Sequence, residues 1–301
     1  MGRFDFPDNI VRVTAGRGSE CLLVFTKEKT VLMEAGLSFP HEKLISNIKK
    51  ALGERGRKGL DLITLSHSHY DHIGGLPYLL DEWPDAKVIA AEKTAQVFRS
   101  KGACETIRRL SREAALTFGG DTEEPDTDML RVDIIARDGD RIDLGSGEYI
   151  KVLETKGHTD CSLTYVFEPQ SIMFSSESTG VIRNENVITS AVLKSYNDAV
   201  RSARKCMAYK PKMLITPHYG LMKKEENISF FIWFLIAAAR ERNFIVRTFD
   251  RTGSYAETLS EYVDRYWSEE WLNAQPKAAF MENARYTVRN VLEEAGRKID
   301  G

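Results

Sequence analysis

The chain is organised around one stretch, Asp61-Leu-Ile-Thr-Leu-Ser-His67-Ser-His69-Tyr-Asp71-His72-Ile-Gly-Gly75. It holds three of the six histidines of the chain and one aspartate within six positions. The apolar run 62–65 predicts a buried strand, and the glycine pair predicts the loop or helix start that follows it. The histidines are therefore expected at a strand end, where α/β folds build their sites.

These side chains are of the types that bind metal ions. Neutral imidazoles and a carboxylate suit borderline divalent metals. Residues two apart on an extended segment face the same side, so His67 and His69 can share one ion. Asp71 and His72 follow where the chain turns, and they can point at a second ion beside the first. A single histidine is more often a satisfied core or surface residue, but four candidate ligands in six positions favour a metal centre.

The pattern His-x-His-x-Asp-His followed by Gly-Gly resembles the signature of the metallo-β-lactamase superfamily of metal-dependent hydrolases. Apolar runs also alternate with helical patterns along the chain, which implies sheets covered by helices. The resemblance implies an α/β fold, the four-layer αββα sandwich of that superfamily, with a helical C-terminal extension. We expect residues 1–223 to form the metal-binding domain and residues 224–301 to form the extension, as a substrate cap or a dimer contact.

Two later segments resemble further ligand motifs of the superfamily. Gly157-His158-Thr follows a predicted strand, and Pro217-His218-Tyr-Gly follows another. Five of the six histidines thus fall at motif positions. The resemblance implies two ligand sets: His67, His69 and His158 for one ion, and Asp71, His72, His218 and Glu177 for the other.

Two acidic positions depart from the superfamily pattern. The bridging carboxylate is usually the aspartate of a Gly-Asp pair, but this chain has Ser176-Glu177. The longer side chain of Glu177 is expected to bridge both ions or to bind only one. An early strand of the superfamily usually ends in an aspartate, and here the acid is Glu34. Its role is either to support the loop that carries the histidines or that of an ordinary strand-end carboxylate.

The mechanism implied by the resemblance uses two divalent ions, with zinc, iron and manganese as the candidates. A hydroxide that bridges the ions, assisted by Asp71, would attack the substrate. Tyr196 and Tyr219 are candidates for orienting that substrate.

The substrate class also comes from resemblance. The segments 69–79 and 91–94 and the helical C-terminus resemble the quinolone-signal thioesterase (PqsE) branch, and the layout resembles glyoxalase II. Hydrolysis of a small-molecule thioester or other acyl ester is therefore the leading hypothesis. A phosphodiesterase or phosphorylcholine-esterase-like hydrolase is the alternative. A glutamate in the bridging position also occurs in oxygen-activating di-iron members, and a non-catalytic regulatory protein is the third hypothesis.

Composition limits the classes of partner and compartment. There are 42 basic and 44 acidic residues and a net charge of -2, which argues against general nucleic-acid binding. The four cysteines are widely spaced, and the N-terminus lacks a signal-peptide core, so we expect a cytoplasmic protein with reduced thiols. The apolar run Ile228–Ala239 is too short to span a membrane and favours burial, a substrate tunnel or a homodimer contact through the C-terminal helices.

Overall fold

The structure is a computed structural model, and it describes residues 2–184, 187–269 and 275–299. Two six-stranded sheets and one two-stranded hairpin form the β structure of these residues. The first sheet follows chain order, and its strands are β1 (Ile10–Arg12), β2 (Leu22–Phe25), β3 (Thr30–Met33), β4 (Leu62–Thr64), β5 (Lys87–Ala90) and β6 (Ile134–Ile135). Strands β1 to β3 pair antiparallel, and β3 to β6 pair parallel.

The second sheet is mostly antiparallel. Its strands are β7 (Arg141–Gly145), β8 (Glu148–Glu154), β9 (Leu163–Glu168), β10 (Ile172–Phe174), β13 (Met213–Thr216) and β14 (Gly220–Leu221), in the spatial order β14-β13-β10-β9-β8-β7. Among the described strands of this sheet, only the pair β10 and β13 runs parallel. The separate hairpin consists of β11 (Val181–Asn184) and β12 (Val187–Thr189).

Helices cover both sheets. Those before β6 are α1 (His41–Glu54), α2 (Tyr70–Ile73), α3 (Leu76–Glu82), α4 (Glu92–Phe98) and α5 (Lys101–Phe118). The later ones are α6 (Tyr196–Tyr209), α7 (Asn227–Thr252), α8 (Tyr255–Tyr266) and α9 (Lys277–Glu294).

The central strands of each sheet, such as β2, β3 and β10, are buried on both faces, which fixes the layer order. Successive side chains of a strand point to opposite faces. On β2, Leu22 and Val24 pack between the two sheets, together with Tyr165 of the second sheet. Leu23 points the other way, into the core that the first sheet shares with α1, α3 and α5. A third core, which contains Phe230, lies between the second sheet and helices α6 and α7. The fold is therefore the predicted four-layer αββα sandwich.

The helices after residue 223 pack on the sandwich and on each other. Phe230, Phe231 and Phe234 of α7 are buried in the third core, whereas Ile232 and Trp233 are exposed. Helices α7 to α9 share a core of their own. The domain boundary at 223/224 and the homodimer contact stay predictions. Among the described residues, no helix combines the length and apolar character that a membrane span needs.

Candidate metal centre

The central motif adopts the predicted strand-to-helix geometry. Strand β4 leads directly to His67, which is fully buried, and His69 is the residue that precedes α2. The chain then passes so close to the end of β3 that a Cβ on Gly75 would lie 2.4 Å from the carbonyl oxygen of Ala35. Glycine is required at that position, because any side chain would collide with backbone. This close passage sets the direction in which α2 presents His72.

Three histidines meet in the first group of candidate ligands. The ligand atoms of His67, His69 and His158 all lie within 4.8 Å of one another. Nε2 of His158 is 3.0 Å from Nδ1 of His69. Nδ1 of His158 lies 2.7 Å from the carbonyl oxygen of Ala191. Because a carbonyl can only accept, this Nδ1 must carry the proton, so Nε2 presents its lone pair to the group.

The two ring nitrogens of His67 show that a cation fits this group. Nε2 of His67 is completely buried and has no hydrogen-bond partner among the described residues. Nδ1 of the same ring lies 3.0 Å from Oγ of Ser66. A buried polar atom normally has a partner, and its absence here indicates a ligand. Three imidazole nitrogens that converge in this way suit a divalent metal.

The second group contains Asp71, His72, Glu177 and His218, whose ligand atoms also lie within 4.8 Å of one another. Nδ1 of His218 lies 2.9 Å from the carbonyl oxygen of Gly18, so it donates its proton there. Nε2 of His218 then faces Oε1 of Glu177 at 2.9 Å, and Oδ2 of Asp71 is 3.5 Å away. Electron pairs that face each other need a proton or a metal cation between them. The group therefore also fits a divalent ion.

Glu177 lies between the two groups. Its Oε1 is 2.7 Å from Nε2 of His72, and its Oε2 is 3.5 Å from Nε2 of His158. The preceding residue, Ser176, is buried, and its Oγ lies 2.9 Å from Oγ1 of Thr155. The serine that replaces the usual glycine is thus satisfied by a local hydroxyl contact, while the glutamate reaches both ligand sets.

Burial keeps the first group neutral. Desolvation, reinforced by the neighbouring histidines, lowers the pKa of His67 well below its usual value. Burial likewise lowers the pKa of His69 to about 3 and lowers that of His158. Three neutral imidazoles offer lone pairs without proton competition near neutral pH.

In the second group, the neighbouring carboxylates determine the direction in which the histidine pKa values shift. Burial alone would lower the pKa of His72, but Glu34, Asp71 and Glu177 outweigh it and raise that pKa well above its usual value. The pKa of His218 is raised because Glu177 outweighs the effect of burial. Burial would raise the pKa of Glu177, yet the nearby histidines hold it well below its usual value. The protons that these rings attract are the ones that a metal ion would displace.

The contacts of Glu34 favour support of the loop that carries the histidines over the alternative of an ordinary strand-end carboxylate. It is buried, its Oε1 accepts from the backbone N–H of Ser66 at 3.1 Å, and its Oε2 lies 3.3 Å from Nδ1 of His72. One carboxylate therefore contacts both ends of the histidine motif.

Both ligand groups open into one cavity of about 370 Å³. Its basic lining residues are Lys93, Arg183 and Lys194. Leu110 and Val181 add apolar wall, and α9 closes one side with residues that include Tyr286. Arg183 was not anticipated from the sequence, because nothing in the pattern around it distinguishes it from a surface arginine.

The two predicted substrate contacts lie elsewhere. Neither Tyr196 nor Tyr219 lines this cavity. His218 has a left-handed φ of 62°, and the ring of the next residue, Tyr219, lies beneath the guanidinium of Arg3. Tyr196 begins α6 and packs among the C-terminal helices, beside Arg242. The geometry gives neither tyrosine a direct contact with a ligand in the cavity.

Comparison with known proteins extends these observations. Residues 14–218 match the family model of the metallo-beta-lactamase superfamily. The chain is 27% identical over 168 residues to the metallo-beta-lactamase fold-containing protein ST1585 of Sulfurisphaera tokodaii, a match that covers 54% of this chain and 62% of that protein. It is 25% identical over 137 residues to a hydroxyacylglutathione hydrolase of Francisella tularensis, covering 46% of this chain and 41% of that enzyme. The matched stretches thus span less than two thirds of these relatives.

Solved structures show the same fold. The archaeal superfamily protein ST1585 superimposes with a TM-score of 0.59 at 18% identity, covering 96% of this chain and 100% of the other. The family protein TTHA1429 of Thermus thermophilus gives 0.66 at 16% identity, with coverage of 96% and 95%. The sec-alkylsulfatase Pisa1 of a Pseudomonas species gives 0.66 at 12% identity and covers 95% of this chain and 49% of that one. Together with the family match over most of its length, the fold shows that this chain belongs to the metallo-β-lactamase superfamily.

Proposed function

We propose that this protein is a metal-dependent hydrolase that cleaves a thioester or another acyl ester with two divalent ions. The observation that carries the proposal is the convergence of two ligand groups on Glu177 at the floor of one cavity. His67, His69 and His158 would hold one ion, and the other would be held by the second group: Asp71, His72, Glu177 and His218. Bound together, the ions would supply a hydroxide near neutral pH and stabilise the charge that develops on the attacked carbonyl.

The residues of the chain provide orientation and proton handling. Glu177 contacts both groups, so we propose that its carboxylate sets their separation. Asp71 lines the cavity, and its Oδ2 lies 3.5 Å from Nε2 of His218. A carboxylate at that position can hold the proton of the attacking water and pass it to the leaving group. The donor set of imidazoles and carboxylates suits zinc, iron or manganese.

The cavity supports an acyl substrate of modest size. Small-molecule sites span roughly 300–1,000 Å³, and this cavity lies near the lower end of that range. Its wall combines apolar side chains with three bases, Lys93, Arg183 and Lys194, and with two acids outside the ligand groups, Asp160 and Glu282. Because these bases outnumber these acids, we propose that the wall favours an acyl group or carrier that bears a negative charge. Several curated relatives are named hydroxyacylglutathione hydrolases, enzymes whose substrate is a thioester, and this supports the thioester over a phosphodiester.

One feature favours a second candidate, an oxygen-activating enzyme with two iron ions. A glutamate, rather than an aspartate, contacts both ligand groups. Its longer side chain is compatible with the carboxylate-rich sites used for such chemistry. Oxygen consumption by iron-loaded protein in the presence of a reductant would separate this candidate from the hydrolase.

The test of the proposed function combines metal counting with turnover. Protein purified without added metal is analysed for its elements and then assayed on acyl thioesters and phosphodiesters. We expect about two ions per chain, and about one in each of His158→Ala and His218→Ala, with a loss of thioester turnover of at least about 100-fold. His41→Ala is the matched control, because His41 stacks on Tyr78 outside the cavity. A wild-type chain that binds no divalent ion would exclude the proposal.

A further inference from the structure

A buried carboxylate on the C-terminal helix α7 is linked to the metal centre through one short loop, although it belongs to neither ligand group. Glu241 is 7% exposed. Its Oε2 accepts from the hydroxyl of Ser190, and its Oε1 accepts from the hydroxyl of Tyr262 at 2.7 Å. A buried carboxylate is costly unless hydrogen bonds satisfy it, so its presence here calls for a role. Neither the sequence motifs nor the ligand groups account for it.

Ser190 begins a short segment, residues 190–196, that we call the 190–196 loop. The next residue, Ala191, has a φ of 49°. A residue with a Cβ adopts this left-handed conformation only where its surroundings fix it. The carbonyl oxygen of Ala191 is the acceptor for Nδ1 of His158 at 2.7 Å. The bond to Glu241 thus anchors the residue adjacent to the one that orients His158.

The other end of the 190–196 loop is held by α9. Nδ2 of Asn290 donates to the carbonyl oxygen of Leu193 at 2.6 Å. The carboxylate of Glu294 accepts from the hydroxyl of Ser195 and from the backbone N–H of Tyr196 at 2.9 Å. The C-terminal helices therefore hold this loop at both ends.

The loop is also bonded to the residue that precedes His158. The backbone N–H groups of Lys194 and Ser195 donate to the carbonyl oxygen of Gly157 at 2.9 and 3.1 Å. A shift of the loop would move both the neighbour of His158 and the acceptor of its Nδ1. Because the partner of a ligating histidine fixes its ring orientation and its tautomer, such a shift would weaken the metal site.

We propose that Glu241 is a positioning residue for the metal centre: by bonding Ser190, it holds Ala191 in the conformation that orients His158. The inference rests on the proposed function in one respect, the assignment of His158 as a metal ligand. On this proposal, the helices after residue 223 support the metal site and are not an independent cap. Tyr262 of α8 fixes the other carboxylate oxygen of Glu241 by donating a hydrogen bond to it.

The experiment compares four variants with wild type. Glu241→Ala removes both bonds, and Ser190→Ala removes the donor with a smaller disturbance. Glu241→Gln keeps a polar group that can bond both hydroxyls. Ile245→Ala is the matched control, because Ile245 is fully buried one turn further along α7 and contributes to the core of the C-terminal helices. Zinc affinity is measured by competition with a chromophoric chelator, and amide hydrogen exchange of residues 190–196 is measured on metal-free protein.

We expect Glu241→Ala to weaken the affected zinc site about 10-fold and Ser190→Ala to act in the same direction. Glu241→Gln should restore affinity to within about 3-fold of wild type, and exchange in the 190–196 loop should rise in the alanine variants at positions 190 and 241. Ile245→Ala should lower the Tm but leave zinc affinity and loop exchange near wild type.

Each unfavourable result has a distinct meaning. Equal zinc affinity and equal loop exchange in Glu241→Ala and Ile245→Ala would overturn the positioning role, since a merely structural residue would behave that way. A wild-type chain that binds neither zinc nor another divalent ion would refute the proposed function. In that case loop exchange in metal-free protein still decides whether Glu241 holds the 190–196 loop.

Discussion

Oε2 of Glu34 lies 3.3 Å from Nδ1 of His72, while the other ring nitrogen, Nε2, faces Glu177. The imidazole therefore lies between two carboxylates. The other oxygen of Glu34 accepts from the backbone N–H of Ser66, just before the histidine motif begins. Glu34 itself has a left-handed φ of 63°, which turns its side chain toward the motif at the end of β3. A residue outside the ligand groups thus orients one of their members.

Replacing Glu34 by glutamine tests this support. We expect Glu34→Gln to lower the pKa of His72 in metal-free protein, because burial then opposes charge on the ring with less carboxylate compensation. Metal affinity of the second group should fall by about 10- to 100-fold. Histidine titration by NMR and zinc competition measure the two effects. Glu42→Gln on the exposed side of α1 is the control, and an unchanged affinity in Glu34→Gln would contradict the supporting role.

The glycine before His158 gives a prediction about stability. Gly157 has a φ of 133°, and a Cβ there would lie 2.5 Å from the backbone of Ala199 on α6. Gly157→Ala should therefore destabilise the protein by about 3 kcal/mol or more in urea unfolding, since strain and collision add. Gly102→Ala on α5 is the matched change, because a Cβ there meets no atom of the described residues within 4 Å. That control should be neutral or stabilising by up to about 1 kcal/mol. Similar losses in both variants would refute this explanation.

Glu241 makes stability depend on pH. Burial raises its pKa from 4.5 to about 7. A carboxyl with a raised pKa in the folded state favours folding most below its unfolded pKa, and this stability is lost as the pH rises from about 4.5 to about 7. Glu241→Gln lacks this titration, so its free energy of unfolding relative to wild type should rise by roughly 3 kcal/mol between pH 4 and pH 8. Urea unfolding of both proteins across this range measures the difference, and parallel pH curves would show that Glu241 does not titrate there.

Arg183 is expected to select for substrate charge. It lines the cavity beside the second ligand group, and its Nη2 donates to Oε1 of Gln275 at 3.1 Å. We compare a succinyl and a butyryl thioester of the same small thiol. Arg183→Met should reduce the ratio of their kcat/KM values by about 10- to 100-fold, the equivalent of one lost charged hydrogen bond. Arg204→Met, at an exposed position on α6, should leave the ratio unchanged. A ratio that Arg183→Met does not alter would remove Arg183 from substrate recognition.

Much of the fold could be predicted from local pattern. The apolar positions of residues 41–53 recur with a helical period, which predicts α1, and the apolar run at 30–33 predicts β3 with the observed bounds. Periodicity succeeds in these segments because each buries a continuous apolar face, so local preference and tertiary packing agree. The apolar run at 130–135 predicts a longer strand than the one observed, in which a turn at Thr127–Met129, capped by Asp126, precedes the run and only Ile134–Ile135 pair with β5.

Some features of the candidate site could likewise be predicted from the sequence, and others could not. The spacing of the motif histidines predicts that His67 and His69 lie together, because a strand end fixes the relative direction of neighbouring side chains. The direction of Tyr219 was not predictable, because it depends on the left-handed backbone of His218. The partners of the histidines were also invisible in the sequence, because backbone carbonyls such as that of Ala191 carry no residue signature.

The amino-acid sequence by itself determined the kind of chemistry, because imidazoles and carboxylates at these spacings have few uses other than holding metal ions. Tertiary structure alone decided how those ligands are oriented and what surrounds them. The acceptor for His218 lies 200 residues away at Gly18, and Glu241 reaches Ser190 across 51 residues. Such contacts arise only when separate layers pack against each other, and no local pattern encodes which distant side chain will arrive there.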